Sequence, residues 1–308
     1  MSRTRARGPR RGSSPYPNGI EVRGLRKALR GKVILAGVDL TVPRGTLAVM
    51  EGTNGAGKTT LVRTLATVVA PDSGSARVDG YDVVRHSLDV RRSVGVSFAN
   101  ERSLYWRLDS YQNLELFGKI AGLPKRVIAA RSEDLVQRLG IRAVAHGQVA
   151  RMSTGQRQRL MVARALLTEP AVILLDEPFR GIDEEGLVSI LGLVTERVAA
   201  GATALIVAPL VDTIVPAADA TYIISGGTVR PTGDTPPAAA PTGGVRAPRH
   251  IPEYVPDAGV GVDRRSTPDD PGDPATGPAD AAGDAAGPAT GGIGLDTPVD
   301  ADGPRRQA

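Results

Sequence analysis

At 308 residues the chain is long enough for two domains, yet it has no cysteine, which excludes disulfides, thiolate catalysis and Cys-based zinc sites. Its 38 Lys+Arg against 33 Asp+Glu leave a net charge of +5, and the five arginines between Met1 and Pro17 account for that whole excess, so no broadly basic body for nucleic acid is implied. Nor is there an apolar run of about 18 residues that could span a bilayer, and His86, His146 and His250 have no metal-binding spacing.

In chain order, residues 1–18 form a basic arm in which Arg3, Arg5, Arg7, Arg10 and Arg11 are interrupted by glycine and proline. Such a segment has too little apolar surface to offset its ordering entropy and is expected to be disordered. It lacks the apolar stretch of a secretory signal, and a solvated tail is the expectation ahead of a contact with anionic lipid. Short strand candidates follow at Ile20–Val22, Val33–Ile34, Val38–Val42 and Ser75–Val78, framing an N-terminal β layer around the buried strand Thr46–Met50.

Directly after that strand comes Gly52-Thr53-Asn54-Gly55-Ala56-Gly57-Lys58-Thr59, of the form G-x-x-x-x-G-K-[ST], and then Thr60–Ala66 with the apolar spacing of a helix that Pro71 bounds. Strand, glycine-rich turn and helix are what a phosphate chain requires. Glycines allow close backbone approach, fixed N–H groups face the anion, and a helix N-terminus adds a favourable dipole. Gly52, Asn54, Gly55, Gly57, Lys58, Thr59 and Thr60 are therefore the candidate phosphate contacts, with Lys58 near the terminal phosphates and Thr59 on Mg²⁺.

Farther along, Ser110 can cap a helix over Tyr111–Ala121, closed by Gly122 and Pro124, and a second helix spans Lys125–Leu139 up to Gly140. The buried strand Val172–Leu175 ends in Asp176-Glu177. A carboxylate at such a strand end holds Mg²⁺ in phosphoryl-transfer sites, and a neighbouring residue must orient the attacking water, which assigns those tasks to Asp176 and Glu177. A helix is expected over Glu184–Ala200, a strand over Ala204–Val207, and a hairpin from Tyr222–Ile224 to Thr228–Val229 across Gly226-Gly227. From 231 to 308 the chain is mostly Pro, Gly, Ala, Asp and Thr and is expected to be a disordered tail.

Between these segments Met152-Ser153-Thr154-Gly155-Gln156 is followed by Arg157-Gln158-Arg159-Leu160, and with the phosphate loop and Asp176-Glu177 the region Glu21–Arg230 resembles the nucleotide-binding subunit of an ATP-binding cassette (ABC) transporter. Residues 152–156 look like the family's Leu-Ser-Gly-Gly-Gln signature loop, with Met152 and Thr154 as departures. The resemblance implies an α/β fold: a P-loop NTPase cassette over 19–230 with a mixed core sheet, an N-terminal antiparallel β layer and an inserted helical subdomain at about 99–165. It also implies ATP and Mg²⁺ as ligands and a head-to-tail pair with a second cassette, in which Ser153, Gly155 and Gln156 cap the partner's ATP. Asp183, in Arg180-Gly181-Ile182-Asp183, would cross that interface. A polytopic membrane permease on another chain would carry the substrate, most like export systems, with this chain cytoplasmic and peripheral at the inner face of the membrane.

Several positions depart from the family pattern. Pro209 stands where a histidine contacts the terminal phosphate, Leu29 where an aromatic stacks on adenine, and Asn100 or Glu101 where the lid glutamine is usual. These departures keep two readings open: an ATPase subunit that drives export, or a weakly hydrolysing half whose intact signature completes a partner's site. A third class, soluble cassette proteins acting on nucleic acid, fits poorly with a single cassette and no sustained heptads. The resemblance also puts Tyr105 and Trp106 near the permease contact; ordinary core packing is the competing expectation.

Overall fold

The computed structural model describes residues 16–98, 104–209 and 214–232. Strands β1 (Asn18–Leu29) and β2 (Lys32–Pro43) form a hairpin whose two turn residues, Arg30 and Gly31, have φ of 51° and 77°. That pair of left-handed residues makes the type of turn whose twist matches the flanking strands. With β4 (Ser73–Val78) and β5 (Tyr81–Asp82) the hairpin makes a four-stranded antiparallel sheet in the order β2-β1-β4-β5. The basic arm beyond Tyr16 lies outside the described residues, but Tyr16 itself lies beneath Arg77, and the Tyr16 carbonyl accepts from Arg44 Nε at 2.8 Å.

The second sheet contains β3 (Leu47–Glu51), β6 (Val94–Ser97), β7 (Val172–Asp176), β8 (Thr203–Ala208), β9 (Ala220–Ser225) and β10 (Thr228–Pro231), ordered β10-β9-β3-β8-β7-β6. Only β10 runs antiparallel, so the sheet is mixed. Strands β7 and β8 are buried at every residue, the mark of a parallel sheet covered on both faces. Successive side chains point to opposite faces, and the core divides accordingly. Ile173, Leu175, Ala204 and Ile206 join one apolar cluster, while Val172, Leu174, Leu205 and Val207 join the other. At the far end β10 includes Pro231, and Thr232 N–H still reaches Thr221 O at 2.9 Å, so the first two residues of the expected tail belong to the fold.

Six helices cover these sheets among the described residues: α1 (Lys58–Leu65), α2 (Ser87–Ser93), α3 (Ser110–Ile120), α4 (Lys125–Arg138), α5 (Thr154–Leu166) and α6 (Glu184–Ala199). Helix α2 has no counterpart among the predicted elements, because only Val90 of its residues is buried and no apolar period can show. The cap expected at Ser110 is instead Asp109, whose carboxylate accepts from Gln112 N–H at 2.7 Å while Gln112 Oε1 accepts from Asp109 N–H at 3.0 Å. A reciprocal box needs an acceptor with a Gln three positions on, which Asp109 has and Ser110 lacks. Ser110 becomes the first helical residue, fully buried, its hydroxyl 3.8 Å from Met152 Sδ.

Glycines set the closest approaches between layers. A Cβ on Gly95 of β6 would lie 2.0 Å from Ala165 O of α5 and 2.6 Å from Pro170 Cγ. Gly95→Ala should therefore force sheet and helix apart, with an expected loss of about 1–3 kcal/mol or more. Urea denaturation should show a lower midpoint; an unchanged midpoint would mean that α5 is not pressed against β6 as described.

Candidate nucleotide site

The glycine-rich loop leaves β3 at Glu51 and enters α1 at Lys58. Gly52 is held where a Cβ would meet Ile224 O at 2.6 Å, and Gly57, at φ 110°, where one would meet Ile34 O at 3.0 Å. The loop is thus wedged between β9 and β2 at its two ends, and only glycine fits either place. Between them Thr53, Asn54 and Gly55 are exposed, and Gly55 at φ 83° has open space around it. Lys58 is buried, and its ammonium donates to Gly52 O at 2.6 Å and Thr53 O at 3.1 Å, clasping the loop from within. Thr59 and Thr60 follow on the first turn of α1, each half-buried.

Asp176 ends the apolar strand β7 and is wholly buried, with neither carboxylate oxygen hydrogen-bonded. Burial is the main influence on this group and pushes its pKa up; the Thr59 hydroxyl, which approaches without completing a hydrogen bond, draws it down, the Glu177 charge adds to the rise, and Lys58 and Arg63 oppose it. An unpartnered buried carboxylate beside a threonine hydroxyl fits Mg²⁺, which takes hard oxygen donors and completes its shell with water and phosphate oxygens.

Glu177 adopts φ 50°, a left-handed conformation that costs a residue with a Cβ of order 1–3 kcal/mol. Its N–H donates to Val207 O at 2.8 Å and its carbonyl accepts from Gln158 Nε2 at 3.4 Å, so neighbouring elements hold it there. Its side chain is half-buried, whereas that of Asp176 is fully buried. Two residues past Val207 comes Pro209, exposed at the end of β8, with neither a side-chain donor nor a backbone N–H.

A second cluster surrounds the N-terminus of α5. Ser153 caps the helix, accepting from Gln156 N–H at 3.2 Å, while Gln156 Oε1 accepts from Ser153 N–H at 2.8 Å. A Cβ on Gly155 would lie 2.4 Å from Gly181 O, so the 152–156 and 180–183 segments are in backbone contact. Asp183 caps α6 by accepting from Gly186 N–H at 2.9 Å and pairs with Arg159, which also donates to Leu139 O at 3.2 Å. Among the described residues no hydrogen bond joins Ser153–Gln156 to the glycine-rich loop; Gln158 makes the link to Glu177 instead. Gln158 and Arg159, both buried polar residues of α5, were missed in the sequence, where their only signal is polarity at positions on the helix's packed face.

Other expected positions fall as follows. Leu29 ends β1 at the hairpin turn, 40% exposed. Asn100 and Glu101 lie outside the described residues. Neither Tyr105, 54% exposed, nor Trp106, 44% exposed, is a core residue. Tyr105 contacts the Phe117 ring at 6.0 Å, and Arg157 stands 5.4 Å over Trp106.

Comparison with known proteins is decisive at this point. The ABC transporter family model matches residues 35–180. The daunorubicin resistance ATP-binding protein DrrA3 of Streptomyces coeruleorubidus is 38% identical over 227 residues, which are 74% of this chain and 72% of that protein. This chain belongs to the ATP-binding proteins of ABC transporters. The ABC transporter ATP-binding protein NatA of Bacillus subtilis strain 168 is 42% identical over 146 residues, 47% of this chain and 59% of NatA. Among solved structures, one titled as the ATP-binding subunit of an ABC transporter aligns with a TM-score of 0.63 and 26% identity over 68% of this chain and 87% of its own. A dimeric cassette bound to ADP and phosphate has the same fold, with a TM-score of 0.63 and 21% identity over 69% of this chain and 97% of its own. The α/β cassette fold and the ABC membership are thereby established, and the family is one of ATP-hydrolysing proteins that bind ATP and work as dimers with membrane permeases. No helix among the described residues is long and apolar enough to cross a membrane.

The buried carboxylate makes stability depend on pH. Because the folded pKa of Asp176 is raised, its contribution is fully present below the ordinary carboxylate pKa and is lost as pH rises through the elevated value. Asp176→Asn should flatten this part of the profile and leave the nucleotide-free protein at least as stable as wild type near neutral pH. Thermal unfolding across pH measures it, and a large drop in melting temperature at neutral pH would contradict the assignment.

Proposed function

We propose that this chain binds and hydrolyses ATP as one member of a cassette pair and drives export of a substrate through a separate membrane permease. The observation that carries the reading is the convergence of Lys58, Thr59 and the unpaired, buried Asp176 carboxylate at one end of the sheet, with Glu177 turned out beside them. In this reading the loop Gly52–Thr60 cradles the phosphates, with Gly52, Asn54, Gly55, Gly57 and Thr60 contributing backbone or side-chain donors. Thr59 and Asp176 would hold Mg²⁺, which when bound offsets charge on the phosphate oxygens. Glu177 accepts a hydrogen bond from water and orients it in line with the terminal phosphorus. Attack forms the new P–O bond as the bond to the ADP oxygen breaks, and Lys58 steadies the charge that develops.

Ser153, Gly155 and Gln156 then act across the pair, capping nucleotide on the partner's loop, with Asp183 at the crossing. The exposed Tyr105 and Trp106 support a permease contact in their segment. Export of a drug-like compound is supported by the name of DrrA3; the chain sits at the inner face of the cell membrane in this scheme.

Pro209 supports a second reading, a half that binds nucleotide but turns it over slowly. Pro209, the last described residue after β8, has no donor to offer a terminal phosphate. Loss of one such contact to transition-state charge costs roughly two to three decades in rate.

Phosphate release by the purified chain, alone and with a second cassette, discriminates between these. For a competent subunit, Glu177→Gln should lower turnover by roughly 10²-fold or more while ATP is still bound. Failure to bind Mg-ATP would overturn both readings. For the degenerate half, Ser153→Ala should damage turnover by the assembled pair more than Lys58→Ala, and Pro209→His should raise turnover of the chain alone; equal damage from the two alanine variants would remove this alternative.

A further inference from the structure

Glu177 sits in a conformation that its own sequence disfavours. It carries a Cβ, and it precedes Pro178, whose ring pushes the residue before it toward extended backbone. The observed φ of 50° is therefore imposed by neighbours rather than chosen locally. Its N–H donates to Val207 O of β8 at 2.8 Å, and its carbonyl accepts from Arg180 N–H at 3.4 Å and from Gln158 Nε2 at 3.4 Å. The Val207 and Arg180 bonds are backbone to backbone and do not depend on which side chains stand there. The Gln158 bond differs: it comes from a side chain, on helix α5, 19 residues earlier in the chain.

Gln158 is an unusual residue for its place. It is 2% exposed, and Gly155, Met161 and Val162, which share its face of α5, are buried too. A buried amide left without a partner is costly, and an apolar side chain of similar size would pack on that face without the risk. Among the described residues the hydrogen bond of the Gln158 amide goes to the Glu177 carbonyl. Holding that carbonyl fixes the orientation of the peptide between Glu177 and Pro178, and with it the direction in which the Glu177 side chain leaves the backbone.

We propose that Gln158 is a positioning residue: by donating to the Glu177 carbonyl it holds the left-handed backbone that sets where the Glu177 carboxylate meets the attacking water. It acts through Glu177 and not on the nucleotide. The inference rests on the proposed role of Glu177 and adds the side chain that supports it.

Steady-state phosphate release by the full chain in the cassette pair, with Glu177→Gln as the reference variant, tests this. Gln158→Met is close in size and shape and has no donor. It should lower kcat about 2- to 10-fold, the worth of one net hydrogen bond, and leave KM for Mg-ATP unchanged. Added to Glu177→Gln it should cause no further loss, because the carboxylate it positions is already gone; a merely structural role would lower turnover in both backgrounds alike. Gln158→Glu keeps the length but can donate only when protonated. Its kcat relative to wild type should therefore rise as pH falls, whereas the Gln158→Met ratio stays flat. Unchanged kcat in Gln158→Met, an equal loss in the Glu177→Gln background, or a flat Gln158→Glu ratio would each overturn the inference and leave the role of Glu177 standing. If Glu177→Gln itself turned over like wild type, the role of Glu177 would fail and this inference with it. Should Gln158→Met not fold, the Gln158→Glu pH profile decides alone.

Discussion

Strand β7 carries an ionisable side chain into a core that it otherwise fills with Val172, Ile173, Leu174 and Leu175, and the site depends on how the fold tolerates it. Burying an unpaired carboxylate is unfavourable by several kcal/mol in general, and Asp176 has no hydrogen bond to offset this. The rise in its pKa is opposed first by the Thr59 hydroxyl and then by the charges of Lys58 and Arg63, all on α1, without being cancelled. The adjacent Glu177 adds backbone strain to the same corner. In the proposed scheme these two unfavourable features, kept side by side, are preorganisation for a cation and a polyphosphate.

Helix α5 joins this corner to the surface that faces a second cassette in the proposed pair. Its first turn is Ser153 and the reciprocal Gln156 cap; one turn on, Gln158 reaches the Glu177 carbonyl and Arg159 reaches Asp183 and Leu139. The helix therefore touches the strained glutamate, the loop at 180–183 and the end of α4 together. Its link to Glu177 is a single hydrogen bond from a buried side chain. Gly155 and Gly181 are in tight backbone contact.

The departures at Leu29 and Pro209 act on different parts of the bound nucleotide in the proposed scheme. Leu29 offers an aliphatic surface at the hairpin turn and no ring to stack on, which bears on how firmly a base is held. Pro209 ends β8 beside Val207, whose carbonyl receives the Glu177 N–H, and so bears on charge at the terminal phosphate. Neither alters the loop, which is held by Gly52, Gly57 and the Lys58 clasp irrespective of what surrounds its contents.

Local signals were enough for much of this protein. The glycine-rich loop announced itself because φ above zero and close backbone approach leave glycine as the fitting residue, and β7 and β8 were plain because strands covered on both faces are apolar throughout. Helix α2 was not visible, having one buried residue and hence no period, and the cap of α3 was misplaced because Asp109 and Ser110 are both good caps and only the position of Gln112 separates them. The sequence by itself determined the glycine-rich loop between strand and helix, the carboxylates at the end of β7 and the capped start of α5, since each is encoded by residues adjacent in the chain. Only the tertiary structure decided that Asp176 is buried without a partner and that Gln158 reaches the Glu177 carbonyl, because burial and pairing are set by elements distant in sequence and no local pattern specifies which of them will meet.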